Sequence, residues 1–530
     1  MRTVDDLEVS FVEFKSPQIA TRLGFFDRLE HHRWLVVCGL VALAFAARAY
    51  QLGAASLAED EANKVFALRA YEQGDFTVNA EHPMVMKMLC YASLQTVNAW
   101  NRLGSALHLG LSEEAAMRLP NALFGALTVI PLLLLATALL NFRAGVITAL
   151  LWATGINAVW FSRIDKEDSL LVFFMFSGFY LYHLAKSQAA DNPRRQETLY
   201  ALAGAAFGLM MASKYFPHYF GLNALYYTLV GYHSRNNRPL TRRMWGRYFG
   251  GLILAFVVFN PAAFVPQTWR YLLKYVNEDL LTHHGYVLMG KLFINDVLQT
   301  PGGNPWYFYF LFLLVKVPLP VLLAFVVGLV EIFRHRGAYP QSRGYLFLRL
   351  MLVFWLFPMS LVGTKFLRYT LSLMPLVYMT AAIGILVMWR WLSLWLRRLT
   401  LAPQATHLAA AVLAIVFLIT PAATMVGTLP FPNLYLNAFG GKRAGYFFPH
   451  DEFYDLGARE SIRYIAEHAP PGARLATEIP GVVEYYLQRY RRADIRVEIM
   501  SQPGFTLNDR APDYVLLQPG RIYFENRENY

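Results

Sequence analysis

Apolar runs long enough to cross a bilayer recur along this chain, joined by short polar connections. A hydrocarbon core of about 30 Å takes roughly 20 apolar residues per helix. On that measure the pattern predicts eleven spans, at about 34–52, 117–140, 144–161, 168–186, 198–213, 215–232, 248–264, 306–333, 346–362, 369–390 and 405–427. The fold class expected is a polytopic α-helical membrane protein. Three longer segments break the pattern. Segment 53–116 predicts two helices lying on the membrane, Asp60 to Tyr71 and Met84 to Leu103. Segment 265–305 is a long loop. Segment 429–530 predicts a small water-soluble α/β domain. There a helical pattern runs from Glu452 to His468 and stops at Pro470-Pro471-Gly472. Strand-like runs follow at Arg474–Thr477, Ile495–Glu498 and Tyr514–Gln518, with a helix near Val482–Tyr490 between the first two. The expected layout is a cytoplasmic segment 1–33, a transmembrane domain 34–428 with outer loops 53–116 and 265–305, and the domain 429–530. The first 33 residues mix acids and bases without a small-residue cleavage site, which predicts an uncleaved anchor for the first span.

Composition agrees. Hydrophobic residues make up 56% and charged residues 16% of the 530 positions, with a mean hydropathy of +0.32. A soluble domain carries about 25% charge, so a disordered chain is excluded and the composition argues against an ordinary cytosolic globule. The net charge of +12 comes from 48 Lys+Arg against 36 Asp+Glu. In a soluble protein it would point to nucleic acid. Here the arginines fall in alternate connections: Arg194 and Arg195; Arg235, Arg238, Arg242, Arg243 and Arg247; Arg334, Arg336 and Arg343; Arg390, Arg397 and Arg398. The positive-inside rule then puts the N-terminus and these loops in the cytoplasm, and the three longer segments, the α/β domain included, outside. The partner expected is the lipid bilayer, not nucleic acid. Two cysteines, Cys38 and Cys90, can build neither a disulfide framework nor a metal cluster.

The short outer connections carry charge that this rule disfavours. Ser162-Arg163-Ile164-Asp165-Lys166-Glu167-Asp168 is one, Ser213-Lys214-Tyr215 the next, and Gly363-Thr364-Lys365-Phe366-Leu367-Arg368-Tyr369 the third. Arg163, Lys166, Lys214, Lys365 and Arg368 therefore suit a bound anion such as a phosphate. The structural alternative is that they snorkel to headgroups or pair with Asp165, Glu167 and Asp168. Glu59-Asp60-Glu61 follows the first span. A carboxylate pair there can act as a general base or bind a metal, or can simply cap the next helix.

Taken in order, these elements resemble glycosyltransferase family 39. They are the Asp60-Glu61 pair after the first span, Tyr71-Glu72-Gln73-Gly74-Asp75-Phe76, Glu81-His82-Pro83 with Lys87, and Ser162-Arg163 with Asp168-Ser169, Leu171, Phe173 and Phe174 after the third span. The family comprises the protein O-mannosyltransferases and their bacterial relatives, with the lipid A aminoarabinose transferases as cousins. Tyr446-Phe447-Phe448-Pro449-His450-Asp451 is similar to the bacterial branch. The resemblance covers most of the chain and implies the GT-C fold and a multi-pass protein of the bacterial inner membrane. It implies a polyprenyl-phosphate-linked sugar as donor. The acceptor hydroxyl, on a protein, lipid A or another surface glycan, displaces the lipid phosphate with inversion. Asp60 matches the catalytic acid position and would be the general base, Glu61 would support it, and Asp168 would position donor sugar or acceptor. Lys214, Lys365 and Arg368, with Arg163, would hold the phosphate, because a phosphate leaving group needs fixed cations in a partly dry site. His82, Lys87 and Tyr369 would contact the sugars, as would His283 or His284 if loop 265–305 covers the site. Adjacent histidines on a helix point roughly 100° apart, so a surface role is the alternative for that pair. No cofactor is required, and a divalent metal is left open. The family's His-Pro-Pro-Leu-Gly-Lys element reads His82-Pro83-Met84-Val85-Met86-Lys87 here, and Ala80 stands where an acid is usual. Sugar and acceptor identity stay open. A different class, a flippase or transporter of a lipid-linked substrate, would place ionisable groups at the bilayer midplane and show internal repeats. A sensor or assembly scaffold would leave the outer cations without a role.

Overall fold

The structure, a computed structural model, describes residues 29–103, 110–187, 192–216, 218–232, 239–278, 285–295, 303–335, 342–399, 403–441, 443–507 and 511–530. It is that of a polytopic helical membrane protein. Among the described residues, five helices are long and apolar enough to cross a membrane: Glu113–Leu139, Asp168–Ser187, Arg343–Leu361, Met374–Arg398 and Gln404–Thr428. The other expected spans coincide with helices that are shorter, less apolar or broken. Arg33–Ala49, Pro193–Ser213, His218–Tyr232 and Arg242–Phe259 are each a single helix, whereas Phe142–Thr154 with Ile156–Phe161 and Phe308–Lys316 with Leu319–Arg334 are helix pairs. Gly155 and Pro318 sit at the two breaks. Large apolar side chains such as Ile253, Leu254, Val330, Phe357 and Leu408 point outward, as a lipid-facing surface requires. Inside, Leu132, Trp152, Phe176, Phe207, Leu348 and Met379 belong to one continuous core.

Lipid tails are as apolar as leucine, so helices in a bilayer associate by close packing of small residues. Pro193–Ser213 lies against Arg242–Phe259 in this way. A Cβ on Gly204 or Gly208 would overlap the carbonyl oxygens of Tyr248 or Leu252. Leu319–Arg334 meets Met374–Arg398 through Gly328 and Gly384, where a Cβ would overlap the carbonyls of Thr380 and Ala324.

The two helices expected in segment 53–116 are present as Glu59–Glu72 and Met84–Leu103, and with the short connections beside them they are called outer after that expectation. The long outer loop contains an unexpected helix, Pro266–Glu278, and an antiparallel hairpin of β1 (Tyr286–Leu288) and β2 (Lys291–Phe293). His283 and His284 lie outside the described residues. In the C-terminal segment β3 (Arg474–Thr477), β4 (Arg496–Ile499) and β5 (Tyr514–Leu516) form a parallel sheet in the order β4-β3-β5, with Pro480–Arg489 crossing between β3 and β4. The helix expected from Glu452 to His468 is instead two, Pro449–Phe453 and Ala458–His468. Tyr454, Asp455 and Gly457 between them adopt left-handed backbone (φ 46°, 58° and 85°), which a continuous helix excludes. The C-terminal segment shares a core with the outer helices: Leu57, Val65, Met86 and Met117 pack in one cluster with Ile462, Leu475, Val482 and Tyr486.

The glycine contacts give a direct test. Gly384→Val should lower the thermal unfolding midpoint in detergent, since overpacking a tight site costs about 1–3 kcal/mol. Gly246→Ala, where no atom lies within 4 Å, should not. Equal midpoints for the two variants would refute the close helix crossing.

Candidate functional site

Where the outer helices, the short outer connections and the C-terminal segment meet, they enclose a cleft of about 740 Å³. Glu59 and Asp60 enter from the start of the first outer helix, and Glu81 and His82 from the turn before the second. Lys166 comes from the 162–168 connection, Lys214 from the end of Pro193–Ser213, and Arg368 and Tyr369 from the 363–369 connection. The C-terminal segment adds His450, Tyr454, Glu478, Ser501, Arg521 and Tyr523.

Asp60 is at the centre of the charge pattern. Lys166 Nζ lies 2.9 Å and Arg368 Nη1 3.3 Å from its Oδ2, and the Tyr454 hydroxyl donates to the same oxygen over 3.4 Å. Three donors thus hold Oδ2, and Oδ1 takes none of them. The side chain keeps 32% exposure. Burial alone would raise this carboxyl. Lys166, Arg368 and Lys64 outweigh it and hold Asp60 well below the usual carboxylate range. The second acid is also matched. Asp168 opens the helix Asp168–Ser187, and its Oδ1 accepts from Lys214 Nζ at 2.6 Å, while its buried Oδ2 has no hydrogen-bond partner among the described residues. The Lys214 ammonium also lies 4.8 Å from the Tyr369 ring and 4.9 Å from that of Phe216, a cation–π setting.

A buried layer supports the cleft. Lys64 pairs with Glu167 at 3.0 Å and donates to the Asp165 carbonyl at 2.9 Å. Glu167 Oε2 faces His82 Nδ1 at 3.8 Å. Burial, reinforced by Lys166 and Lys64, outweighs Glu167 and Asp60 and holds the imidazole well below its ordinary value. Burial pushes Asp165 up to about 7, against Lys64.

The structure separates the expected residues into two groups. Asp60, His82, Lys214, Arg368 and Tyr369 line the cleft, and Asp168 is tied to it through Lys214. Glu61, Arg163, Lys365 and Lys87 do not line it. Glu61 is fully buried. It accepts from Arg118 through both oxygens (2.8 and 2.6 Å) and from the backbone N–H groups of Ala58 (2.9 Å) and Asp165 (2.7 Å). Its two oxygens thus accept four bonds, which join the helix start to Arg118 and to the 162–168 connection. Arg163 donates to the carbonyls of Arg48, Tyr50, Gln51 and Pro430, closing off the C-terminal end of the first helix. Lys365 donates to the carbonyls of Asn304 (2.8 Å) and Val362. Lys87 donates to the carbonyls of Asn79 (2.6 Å) and His82 (2.8 Å), which shapes the turn that presents His82. Positive-inside reasoning marks Arg163 and Lys365 as unusual without telling an anion from a backbone carbonyl as their partner. Nothing in the sequence points to Tyr454 or Arg521, and nothing in it links Lys166, a surplus cation, to Asp60.

Glu61→Gln should lower thermal stability and expression, since breaking a buried pair costs about 3–5 kcal/mol. Lys365→Met should lower stability in the same way. A variant of either kind that unfolds like the unaltered protein would contradict these structural assignments.

Comparison with known proteins agrees with the geometry. Residues 96–264 match the family model described as dolichyl-phosphate-mannose-protein mannosyltransferase, and residues 293–430 match that of the Alg9-like mannosyltransferase family. The first match takes in the 162–168 connection and Lys214, and the second takes in Arg368; Asp60 and His82 precede both. No curated protein sequence matches. Among solved structures, ArnT from Cupriavidus metallidurans bound to undecaprenyl phosphate aligns with a TM-score of 0.55 at 14% identity, covering 89% of this chain and 86% of that one. The apo state of the same protein aligns with a TM-score of 0.53 at 14% identity, covering 90% and 87%. The chain thus shares the GT-C fold of these structures and, over two separate stretches, is similar to mannosyltransferase families.

Proposed function

We propose that this chain is an inverting glycosyltransferase that moves a sugar from a polyprenyl-phosphate donor to an acceptor hydroxyl on a protein or glycolipid. In this reading eleven helical passages cross the bacterial inner membrane, the N-terminus is cytoplasmic, and the cleft and residues 429–530 lie outside. The observation that carries it is the convergence on Asp60: one carboxylate oxygen tied by Lys166, Arg368 and Tyr454, in a cleft that also holds Lys214. Undecaprenyl phosphate bound to ArnT, a protein of the same fold, supports the donor class.

Asp60 Oδ1 takes the proton of the acceptor hydroxyl as its oxygen bonds to the anomeric carbon. The bond from that carbon to the phosphate oxygen breaks, and polyprenyl phosphate leaves with the electron pair. Lys166, Arg368 and Lys214 face the charge that grows on this leaving group. In the resting site these cations are neutralised by Asp60 and Asp168. A donor phosphate competes for them, and each cation that leans toward the phosphate leaves Asp60 more basic. Donor binding therefore both supplies the leaving group and readies the base.

Purified protein in lipid nanodiscs, given polyprenyl-phosphate sugars and acceptors, should release polyprenyl phosphate. Asp60→Asn should cut turnover by about 10²–10⁴-fold with normal expression; undiminished turnover would remove Asp60 from the role of base. The pH dependence follows from the same contacts. Lys166 helps to depress Asp60, so Lys166→Met lets its pKa rise, and the acid limb of kcat/KM should move to higher pH. An acid limb left in place would show that Lys166 does not act on the base.

A further inference from the structure

The connection that delivers Asp60 is held from within by Arg118, which donates to the Ala55 and Ser56 carbonyls, and from across the fold by the C-terminal segment. Arg459 donates to the carbonyls of Gly53 (3.0 Å) and Ala54 (2.7 Å). The Ser56 hydroxyl donates to the Asp455 carbonyl at 2.7 Å, and the Leu57 N–H to the Tyr486 hydroxyl at 2.8 Å. Ala58, at the N-cap, has no side chain that can accept, and the Asp455 carboxylate takes the Glu59 N–H at 3.0 Å from across the fold. Arg521 then closes the arrangement. Its Nε and Nη2 grip Asp455 at 3.0 and 2.5 Å, and its Nη1 reaches Glu59 at 2.6 Å. Arg521 itself is held from behind, its carbonyl accepting from Asn526 at 2.9 Å. The same left-handed turn that aims Asp455 here aims the neighbouring Tyr454 at Asp60. Non-glycine residues in that region store strain and persist where the surroundings over-determine them.

We propose that Arg521 is a positioning residue for sugar transfer: clamped between Asp455 and Glu59, it fixes the start of the Glu59–Glu72 helix and with it the carboxylate of Asp60. This rests on the reading of Asp60 as the base. The role is electrostatic as well as steric. Asp60 is faced by Lys166, Arg368 and Lys64 as cations, by Glu59 beside it on the same helix, by His82 across the cleft and by Tyr454. Arg521 neutralises Glu59, the acid adjoining Asp60 in sequence, so that Lys166 and Arg368 remain on Asp60. Without it Glu59 competes for those cations and for protons. Burial already raises the Glu59 carboxyl, Arg521 opposes that rise, and Asp455 and Asp60 add to it.

Arg521→Ala, Arg521→Lys and the double variant Glu59→Gln/Arg521→Ala test this beside Asp60→Asn. Two readouts are used: hydrogen exchange of the amides of residues 56–61, which needs no substrate, and the pH profile of polyprenyl-phosphate release. Arg521→Ala should speed exchange at Glu59, lower kcat about 10–100-fold as expected for a displaced catalytic group, and move the acid limb to higher pH. Arg521→Lys should recover part of the loss. The double variant should return the acid limb toward its original position, because the competing acid is gone. A fold-only role would lower the amount of active protein and leave the pH profile unmoved. Protection at Glu59 and a pH profile both unchanged in Arg521→Ala would overturn the proposal, as would a double variant whose acid limb stays with that of the single one. If Asp60→Asn turns over normally, the base assignment fails and this proposal fails with it. If Asp60→Asn is inactive and Arg521→Ala behaves as the unaltered protein, only this proposal fails.

Discussion

A charge removed from water must find a partner, and this constraint organises the outer half of the molecule. Isolated ions in a dry environment are expensive, and a half-broken pair is worse than none. Most of the acids and bases at the cleft are accordingly set against an opposite: Asp60 with Lys166 and Arg368, Asp168 with Lys214, Glu61 with Arg118, Glu167 with Lys64, and Glu59 and Asp455 with Arg521. The pairs differ in depth. Those of Glu61 and Glu167 are sealed, and they join separate segments. Those of Asp60 and Asp168 border open space, the second through Lys214.

This difference in depth is what sequence reading misses. The order of charged motifs along the chain groups Asp60, Asp168, Lys214 and Arg368, and the structure brings these four near one another, because polar groups on short connections between apolar helices have few other places to go. It could not rank them. Asp60 and Glu61 are adjacent, yet one faces the cleft and the other is spent on Arg118, since neighbours on a helix point about 100° apart. Lys365 and Arg368 share a connection, and only the second reaches the cleft. Arg163 and Lys214 look alike as surplus outer cations, but one satisfies backbone carbonyls at a helix end and the other a carboxylate. In each case the deciding contact is made across the fold by a residue with no local signature.

The fold was legible to a similar depth. Apolar runs marked the positions of helices, and alternation of short strands and a helix marked the C-terminal sheet. The break at Tyr454-Asp455 was hidden, because nothing in the polarity pattern of Glu452 to His468 marks a left-handed turn. That turn matters more than the helix it interrupts, because it carries both the hydroxyl on Asp60 and the carboxylate under Glu59.

The link between Glu59 and Arg521 joins positions 462 residues apart. Such distant contacts are slow to form, and the parts emerge from synthesis at different times. The early segment therefore has to wait until the late one arrives and docks. A nascent polypeptide halted inside the sheet would hold nearly all of its hydrophobic body and still lack the guanidinium that ties Glu59 to Asp455.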